Sequence, residues 1–325
     1  MRAAVYETAG SSDVLQVREV PTPDPGPGEV RVRIALSGIN PTDWKRRKRA
    51  DPEAGPFQIP NQDGAGTIES VGSGVDPSRV GERVWLYMAA RDRPWGTAAE
   101  YTVIPAERAV SLPDSASFEL GASLGVPALT AWYCLNADRP IAGARVLVAG
   151  GAGAVGHAAV ELARFEGAKR VIATASTPEK LELARIAGAD AVVDYREPDA
   201  ADQIRAAAPE GVDRIVELAL QTNLELDLAV AAPYAHIVVY ADDVHPQATV
   251  PIRRFMVANL TLRFMLLYAI KPDKLREAVE HVRTAVSAGA LTPLPIERVS
   301  LDRAAEAHDL VESGPGAKKV VIGFD

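Results

Sequence analysis

Cysteine is nearly absent from this chain. Cys134 is the only one in 325 residues, which excludes an internal disulfide and argues against a cysteine-built zinc cluster. Histidine is sparse too: His157, His236, His245, His281 and His308 are the five, and no two stand at ligand spacing. Each reads as a helix or loop residue. Long apolar runs are missing. The most apolar window, Phe255 to Ile270, is interrupted by Asn259, Thr261 and Arg263 and is too short to span a bilayer. Basic charge is also lacking. The net charge is −8, and the one basic cluster, Lys45 to Arg49, lies between Asp43 and Asp51, so no nucleic-acid footprint is expected. The chain opens MRAAVYE without an apolar leader core, and a cytoplasmic protein is expected. No internal repeat or low-complexity segment interrupts it. What remains is 47% hydrophobic and 24% charged, the balance of a globular protein, and the length suggests two domains.

The most informative stretch is Arg145 to Gly167. Val146, Leu147 and Val148 form a short unbroken apolar run, as in a strand buried on both faces of a parallel sheet. Gly151-x-Gly153-x-x-Gly156 follows, and then a helical pattern of Val155, Ala158, Ala159, Leu162 and Phe165, with Gly167 placed to end it. Glycines are needed at such a turn because the backbone bends sharply and approaches a pyrophosphate. The helix behind it presents free N–H groups and its positive dipole end to the phosphates. Strand, glycine pattern and helix together read as a dinucleotide site. Its candidate contacts are Gly150, Gly151, Gly153, Ala154, Val155 and Gly156. A glycine-rich turn that only packs a helix close to a strand is the competing structural reading.

Before this stretch the chain is mostly β. Ala3 to Tyr6, Val14 to Val17 and Val30 to Leu36 read as strands, then Thr67 to Val71, Arg83 to Met88 and Tyr101 to Ile104. The proline-rich segment Pro21 to Glu29 is a turn region, and the whole reads as a barrel-like unit. After it, strands and helices alternate. Arg170 to Thr174, Ala191 to Val193, Arg214 to Leu218, Ile237 to Tyr240 and Thr261 to Leu266 follow the first strand. The helices between them begin near Pro178, Asp202 and Leu224. Six strands with crossover helices make a doubly wound parallel sheet. The tail adds helices at Lys274 to Ser287 and Leu301 to Val311 and a closing strand at Lys319 to Phe324, and is expected to pack back on the N-terminal unit.

Several ordered segments carry a family resemblance: SGINPTDWKRR (Ser37 to Arg47), NQDGAGTIESVGSGV (Asn61 to Val75), GERVW (Gly81 to Trp85), WGTAAEY (Trp95 to Tyr101), LGVPALTAWYCL (Leu124 to Leu135), VAGGAGAVG (Val148 to Gly156) and SLDRAAEAHDLVESG (Ser300 to Gly314). Spread over nearly the whole length, they resemble the zinc-free branch of the medium-chain dehydrogenase/reductase superfamily, the quinone oxidoreductases related to zeta-crystallin. The resemblance implies an α/β protein: a GroES-like β-rich catalytic domain from residues 1–123 and 269–325, and a Rossmann domain at 124–268. It also implies an active-site cleft between them and a homodimer. The apolar sixth-strand region, Leu260 to Ile270, is the expected seam. The alcohol dehydrogenase branch has a zinc-ligating cysteine and a His-Glu pair where this chain has Ser37-Gly38 and Gln62-Asp63, so no metal is expected. The chain also departs from its relatives. It has Pro233-Tyr234-Ala235-His236 in place of a Gly-rich turn, and Tyr240-Ala241-Asp242 where glycine follows the fifth strand.

Without a metal, the reaction should suit acceptors that take hydride readily, quinones and activated enones, with the protein supplying orientation and a dry site. The resemblance places Asn40 to Lys45 in the cleft. Asn40 is a candidate for positioning substrate or nicotinamide. Lys45 is a candidate proton donor, and reads equally as a solvated lysine beside Arg46 and Arg47. Asp43 reads first as a turn or capping aspartate. Trp44, Gln62, Trp95 and Tyr240 are candidates for the substrate wall, and Thr130 and Tyr240 for nicotinamide contacts. The cofactor expected is NADPH. The second strand of the doubly wound region ends Thr174-Ala175-Ser176-Thr177 with no carboxylate to accept from a ribose 2′-OH. Ser176 and Lys180 can meet a 2′-phosphate, Tyr195 matches a tyrosine flanking it in similar proteins, and Lys318 is a further candidate. The leading expectation is an NADPH-dependent quinone or enone reductase. An enoyl or carbonyl reductase of a biosynthetic pathway and a non-catalytic NADPH-binding protein are the alternatives.

Overall fold

A computed structural model describes residues 1–241, 247–314 and 316–324; Asp242 and His245 lie outside the described residues. The chain forms two compact units, Met1–Val126 with Val286–Gly289 and Pro293–Asp325, and Pro127–Ala285 with Ala290–Thr292.

The first unit begins with β1 (Arg2–Val5), β2 (Gln16–Glu19) and β3 (Glu29–Gly38), followed by α1 (Pro41–Arg49). Next come β4 (Asp63–Val71), β5 (Arg83–Leu86), β6 (Tyr101–Pro105), β7 (Ala109–Ser111) and the short α2 (Phe118–Gly121). The second strand starts later than the alternation predicts, because Ser12–Val14 close a 3-10 turn. β3 is the hub. Val30, Val32 and Ile34 point into the core, at 4% exposure or less, as the period-2 pattern requires. One edge of β3 pairs antiparallel with β4; the other pairs with β6 through Glu29–Arg33.

α3 (Gly125–Asn136) carries the chain into the second unit. There β8 (Arg145–Val148), α4 (Ala154–Phe165), β9 (Arg170–Ala175), α5 (Pro178–Ile186), β10 (Ala191–Asp194) and α6 (Ala200–Ala207) alternate. They are followed by β11 (Val212–Glu217), α7 (Leu220–Val230), β12 (Ala231–Val239), α8 (Ile252–Ala258), β13 (Thr261–Phe264) and α9 (Pro272–Ser287). The sheet order is β10-β9-β8-β11-β12-β13, and every pair is parallel. This is the doubly wound arrangement, with its strand order reversing beside β8. α4 forms because Val160, Leu162 and Ala163 are fully buried. Each of the two larger side chains contributes roughly 1.5–3 kcal/mol by leaving water.

The chain returns to the first unit with β14 (Ile296–Ser300), α10 (Ala304–Glu312) and β15 (Lys319–Gly323). β15 pairs with β3 through Leu36–Gly38 and, on its other side, with β14. Residues 269–285, expected with the first unit, pack within the second. Ala278, Val282 and Ala285 on α9 are fully buried, and the His281 ring lies 5.1 Å from that of Trp132. An amphipathic stripe of this kind needs a partner, and α9 finds it beside α3. Among the described residues, no helix is long and apolar enough to cross a membrane.

Candidate active site

In the second unit the glycine loop joins β8 to α4. A Cβ on residue 156 would lie 2.1 Å from the Gly150 carbonyl oxygen, so glycine is obligatory where the helix crosses the turn. Gly153 occupies the N-cap position in extended conformation and has no side chain to cap the first-turn amides. The N–H groups of Ala154, Val155 and Gly156 therefore remain available to an anion, which fits a dinucleotide pyrophosphate. Thr174 is buried behind the loop, where its carbonyl oxygen accepts from the Gly151 N–H at 2.9 Å. At the end of β9, Ser176 is half-buried, while Thr177 caps α5 by accepting from the Lys180 N–H at 3.3 Å. Tyr195 is 39% exposed beside Asp194, whose carboxylate is engaged by Arg196 at 2.6 Å. The end of β9 itself, Thr174-Ala175-Ser176-Thr177, carries no carboxylate. Thr130 is buried on α3. Tyr240 follows β12, its N–H donating to the Glu217 carbonyl at 3.0 Å, and burial pushes its phenol up, so it stays neutral.

His157, next to the loop, is 4% exposed and lies 3.2 Å from Thr292 Oγ1 and 3.3 Å from Glu161 Oε1. It is an internal packing residue. Arg214 is fully buried with Asp138 at 2.7 Å, in line with the rule that buried charge is paired.

In the first unit a buried polar cluster gathers beneath the start of α1. Asn40 takes the N-cap position in extended conformation, Pro41 opens the helix, and Asp43 accepts from the Asn40 N–H at 2.8 Å, a capping box. The other Asp43 oxygen accepts from the Gln62 N–H at 3.1 Å. Asn40 Nδ2 donates to Asp63 Oδ2 at 2.7 Å, and Lys319 Nζ donates to Asn40 Oδ1 at 2.7 Å and to the Ile39 carbonyl at 2.9 Å. Asn40, Asp43, Asp63 and Lys319 are all exposed by 4% or less. Burial and then the Asp63 charge push the Asp43 carboxyl up to about 8. Burial raises Asp63 to about 6 against the pull of Lys319, and lowers Lys319 itself. Burial thus favours the protonated form of Asp43, while Asp63 and Lys319 each favour the other's charged form.

A second chain of bonds continues from it. Thr97 Oγ1 shares a hydrogen bond with Ser37 Oγ at 2.7 Å, Asn61 Nδ2 donates to Ser37 Oγ at 2.9 Å, and Asn61 Oδ1 lies 3.0 Å from His308 Nε2. Because that Asn61 oxygen can only accept, His308 carries its proton on Nε2. Burial holds its imidazole down to about 3, so it is neutral.

Gln62 is 5% exposed, and its Oε1 is buried without a partner. Trp44 and Trp95 are half-buried against one apolar cluster that also holds Phe57, whose ring meets Trp95 edge-on at 5.8 Å. Lys45 is half-buried on α1. Lys318 lies on the surface, 2.8 Å from Glu297. Asp63, Asn61, Thr97, His308 and Lys319 were not singled out from the sequence as site residues. Their only local sign was a charged or polar side chain within an apolar strand or helix pattern.

Comparison with known proteins agrees with both units. A model of the alcohol dehydrogenase GroES-like domain matches residues 26–114, and a zinc-binding dehydrogenase model matches residues 154–284. The quinone oxidoreductase of Rattus norvegicus is 29% identical over 99% of this chain and 97% of its own. A solved NAD-dependent alcohol dehydrogenase is 29% identical over the full length of both chains, with a TM-score of 0.90. A mycobacterial protein solved in complex with NADPH is also 29% identical, over 99% of this chain and 100% of its own, with a TM-score of 0.84. The chain is an oxidoreductase of the medium-chain dehydrogenase/reductase superfamily, of the quinone oxidoreductase kind.

Proposed function

We propose that this protein is a zinc-independent reductase that uses NADPH to reduce a quinone or an activated enone. The donor set of the first unit carries the reading. Where a metal-dependent dehydrogenase needs thiolate and imidazole ligands, this chain has the Ser37 hydroxyl, bonded to Thr97 and Asn61, and the Gln62 amide. Conjugated acceptors suit such a site, because the charge arising on their oxygen delocalises. When bound, the cofactor supplies the hydride. The loop from Gly150 to Gly156 and the first turn of α4 would hold its pyrophosphate, and Ser176, Lys180 and Tyr195 its 2′-phosphate. The full-length likeness to quinone oxidoreductases supports the acceptor class, and the NADPH-bound neighbour supports the cofactor.

The protein's own part is orientation, exclusion of water and delivery of a proton. Asn40 and Lys45, with Trp44, Gln62 and Trp95, are the residues of the first unit assigned to it. Lys45 is the proton donor in this scheme. Lys45→Met should lower turnover with enones by roughly 10²–10⁴-fold while leaving NADPH binding in place; unchanged turnover would make solvent the donor. The test of the function is NADPH oxidation with a panel of quinones, alkenals and enoyl thioesters, run alongside metal analysis of the same preparation. Turnover on quinones or enones by metal-free protein is expected. Tight NADPH binding with no turnover on any acceptor would favour a non-catalytic role, and a stoichiometric zinc would end the mechanism.

A further inference from the structure

Asn40 and its two partners form a tightly specified polar group in the first unit. An asparagine amide has a donor end and an acceptor end that packing alone seldom distinguishes. Here chemistry distinguishes them. Lys319 is an ammonium that only donates, and it lies 2.7 Å from Asn40 Oδ1; Asp63 is a carboxylate that only accepts, 2.7 Å from Nδ2. Turning the amide over would set Nδ2 against the ammonium and Oδ1 against the carboxylate, trading two charge-assisted bonds for two repulsions.

The partners are themselves fixed. Asp63 accepts from the Val126 N–H at 2.9 Å with both oxygens. Lys319 is anchored on the Ile39 carbonyl at 2.9 Å, one residue before Asn40. Oδ1 also sits in the capping box of α1. Nδ2 carries a second hydrogen besides the one given to Asp63.

We propose that Lys319 and Asp63 are positioning residues that lock the Asn40 amide so that it presents a donor, and not an acceptor, to the carbonyl oxygen of the hydride acceptor. The proposal rests on the functional reading above, in which the Asn40 to Lys45 segment meets substrate. A fixed donor facing an oxygen that gains negative charge stabilises the transition state more than the ground state. An enone gathers that charge on one oxygen, whereas a quinone spreads it across the ring. The lock should therefore matter more for enones.

The test uses the full-length protein with Lys319→Met and Asp63→Asn combined, which removes both charges together and leaves neither buried alone. Asn40→Asp, which offers only acceptors, is its companion. With NADPH saturating, kcat on an enone such as cyclohexenone should fall about 10²-fold in each variant, the size of losing one such donor. The fall on a benzoquinone should be clearly smaller, and the KM for NADPH should stay within about twofold. Equal proportional losses on the two acceptors, or a loss confined to KM, would overturn the proposal. A second readout needs no turnover: with asparagine labelled by ¹⁵N, the Asn40 side-chain amide protons should exchange slowly with solvent in the wild type and quickly in the double variant. Unaltered protection in the double variant would refute the lock. If the wild type reduces neither acceptor, the functional reading fails by itself and the exchange measurement still decides whether the amide is held.

Discussion

Both carboxylate oxygens of Asp63 lie 2.9 Å from the amide nitrogen of Val126, and the residue before Val126 is glycine. A Cβ at position 125 would stand 2.1 Å from Asp63 Oδ1 and 3.0 Å from the Leu86 carbonyl oxygen. Gly125 therefore clears the space that lets a buried carboxylate seat itself on the first turn of α3, where the helix dipole favours negative charge. Within a helix, Gly→Ala ordinarily gains about 1 kcal/mol. Here overpacking, at roughly 1–3 kcal/mol, and displacement of Asp63 outweigh that gain. Gly125→Ala is expected to be destabilising in chemical denaturation; a stabilised variant would mean that Asp63 is not held as described.

Asp43 makes stability depend on pH. Its carboxyl ordinarily titrates near 3.8 and is raised to about 8 in the folded protein, first by burial and then by the charge of Asp63. The folded state keeps a proton that the unfolded chain has already released. This contribution is complete below the unfolded value and is lost as pH rises through the folded one. Unfolding free energy should fall as pH rises from about 4 to about 8 and level off above that, and the slope should flatten in Asp43→Asn. Identical slopes would place the titration elsewhere.

His308 has the opposite sign. Its imidazole, ordinarily near 6.5, is held down to about 3 by burial, with a smaller effect from Arg47. Stability from the neutral ring is complete above about pH 6.5 and is lost as the medium turns acid. His308→Gln should unfold less steeply with acid between about pH 6 and 4. An unchanged acid limb would acquit the histidine.

The proposed preference for NADPH assigns the discriminating charge to Lys180. In the proposed scheme Ser176 and Lys180 would meet a 2′-phosphate, and the Asp194 carboxylate is engaged by Arg196 at 2.6 Å. The ratio of catalytic efficiency with NADPH to that with NADH should exceed one. Lys180→Ala should reduce it about tenfold or more, as expected for one charge-assisted phosphate contact. A preference for NADH in the wild type would overturn the site, and a ratio that survives the substitution would pass the role to Ser176 or Tyr195.

β13 is the outer strand of its sheet, and large apolar groups stand on or near it: Phe264 is 66% exposed, Leu266 60%, and Met256 on α8 67%. An apolar edge of this kind invites pairing with a second copy of the chain. A homodimer is the expected state in sedimentation, and Phe264→Lys with Leu266→Glu should weaken it. A wild type that sediments as a monomer at micromolar concentration would remove the prediction.

The nucleotide loop and the doubly wound sheet were legible in the sequence because their signals are local. The apolar run Val146–Val148, the spacing Gly151, Gly153, Gly156 and the helix behind them lie within 23 consecutive residues, and backbone sterics leave those glycines few other uses. The boundary of the second unit was not legible. The helical pattern in α9 shows that one face is buried but not against what.

The charged cluster in the first unit was hidden for a stronger reason. Asn40 is separated from Asp63 by 23 positions and from Lys319 by 279, and no periodicity links residues so far apart. Lys318 and Lys319 show the limit most plainly. Lys318 stands just before β15 and Lys319 opens it, and neighbours along extended chain point to opposite sides. Which one turns inward was decided by the register of β15 on β3. That register sends Lys319 to Asn40 and Lys318 to Glu297 on the surface.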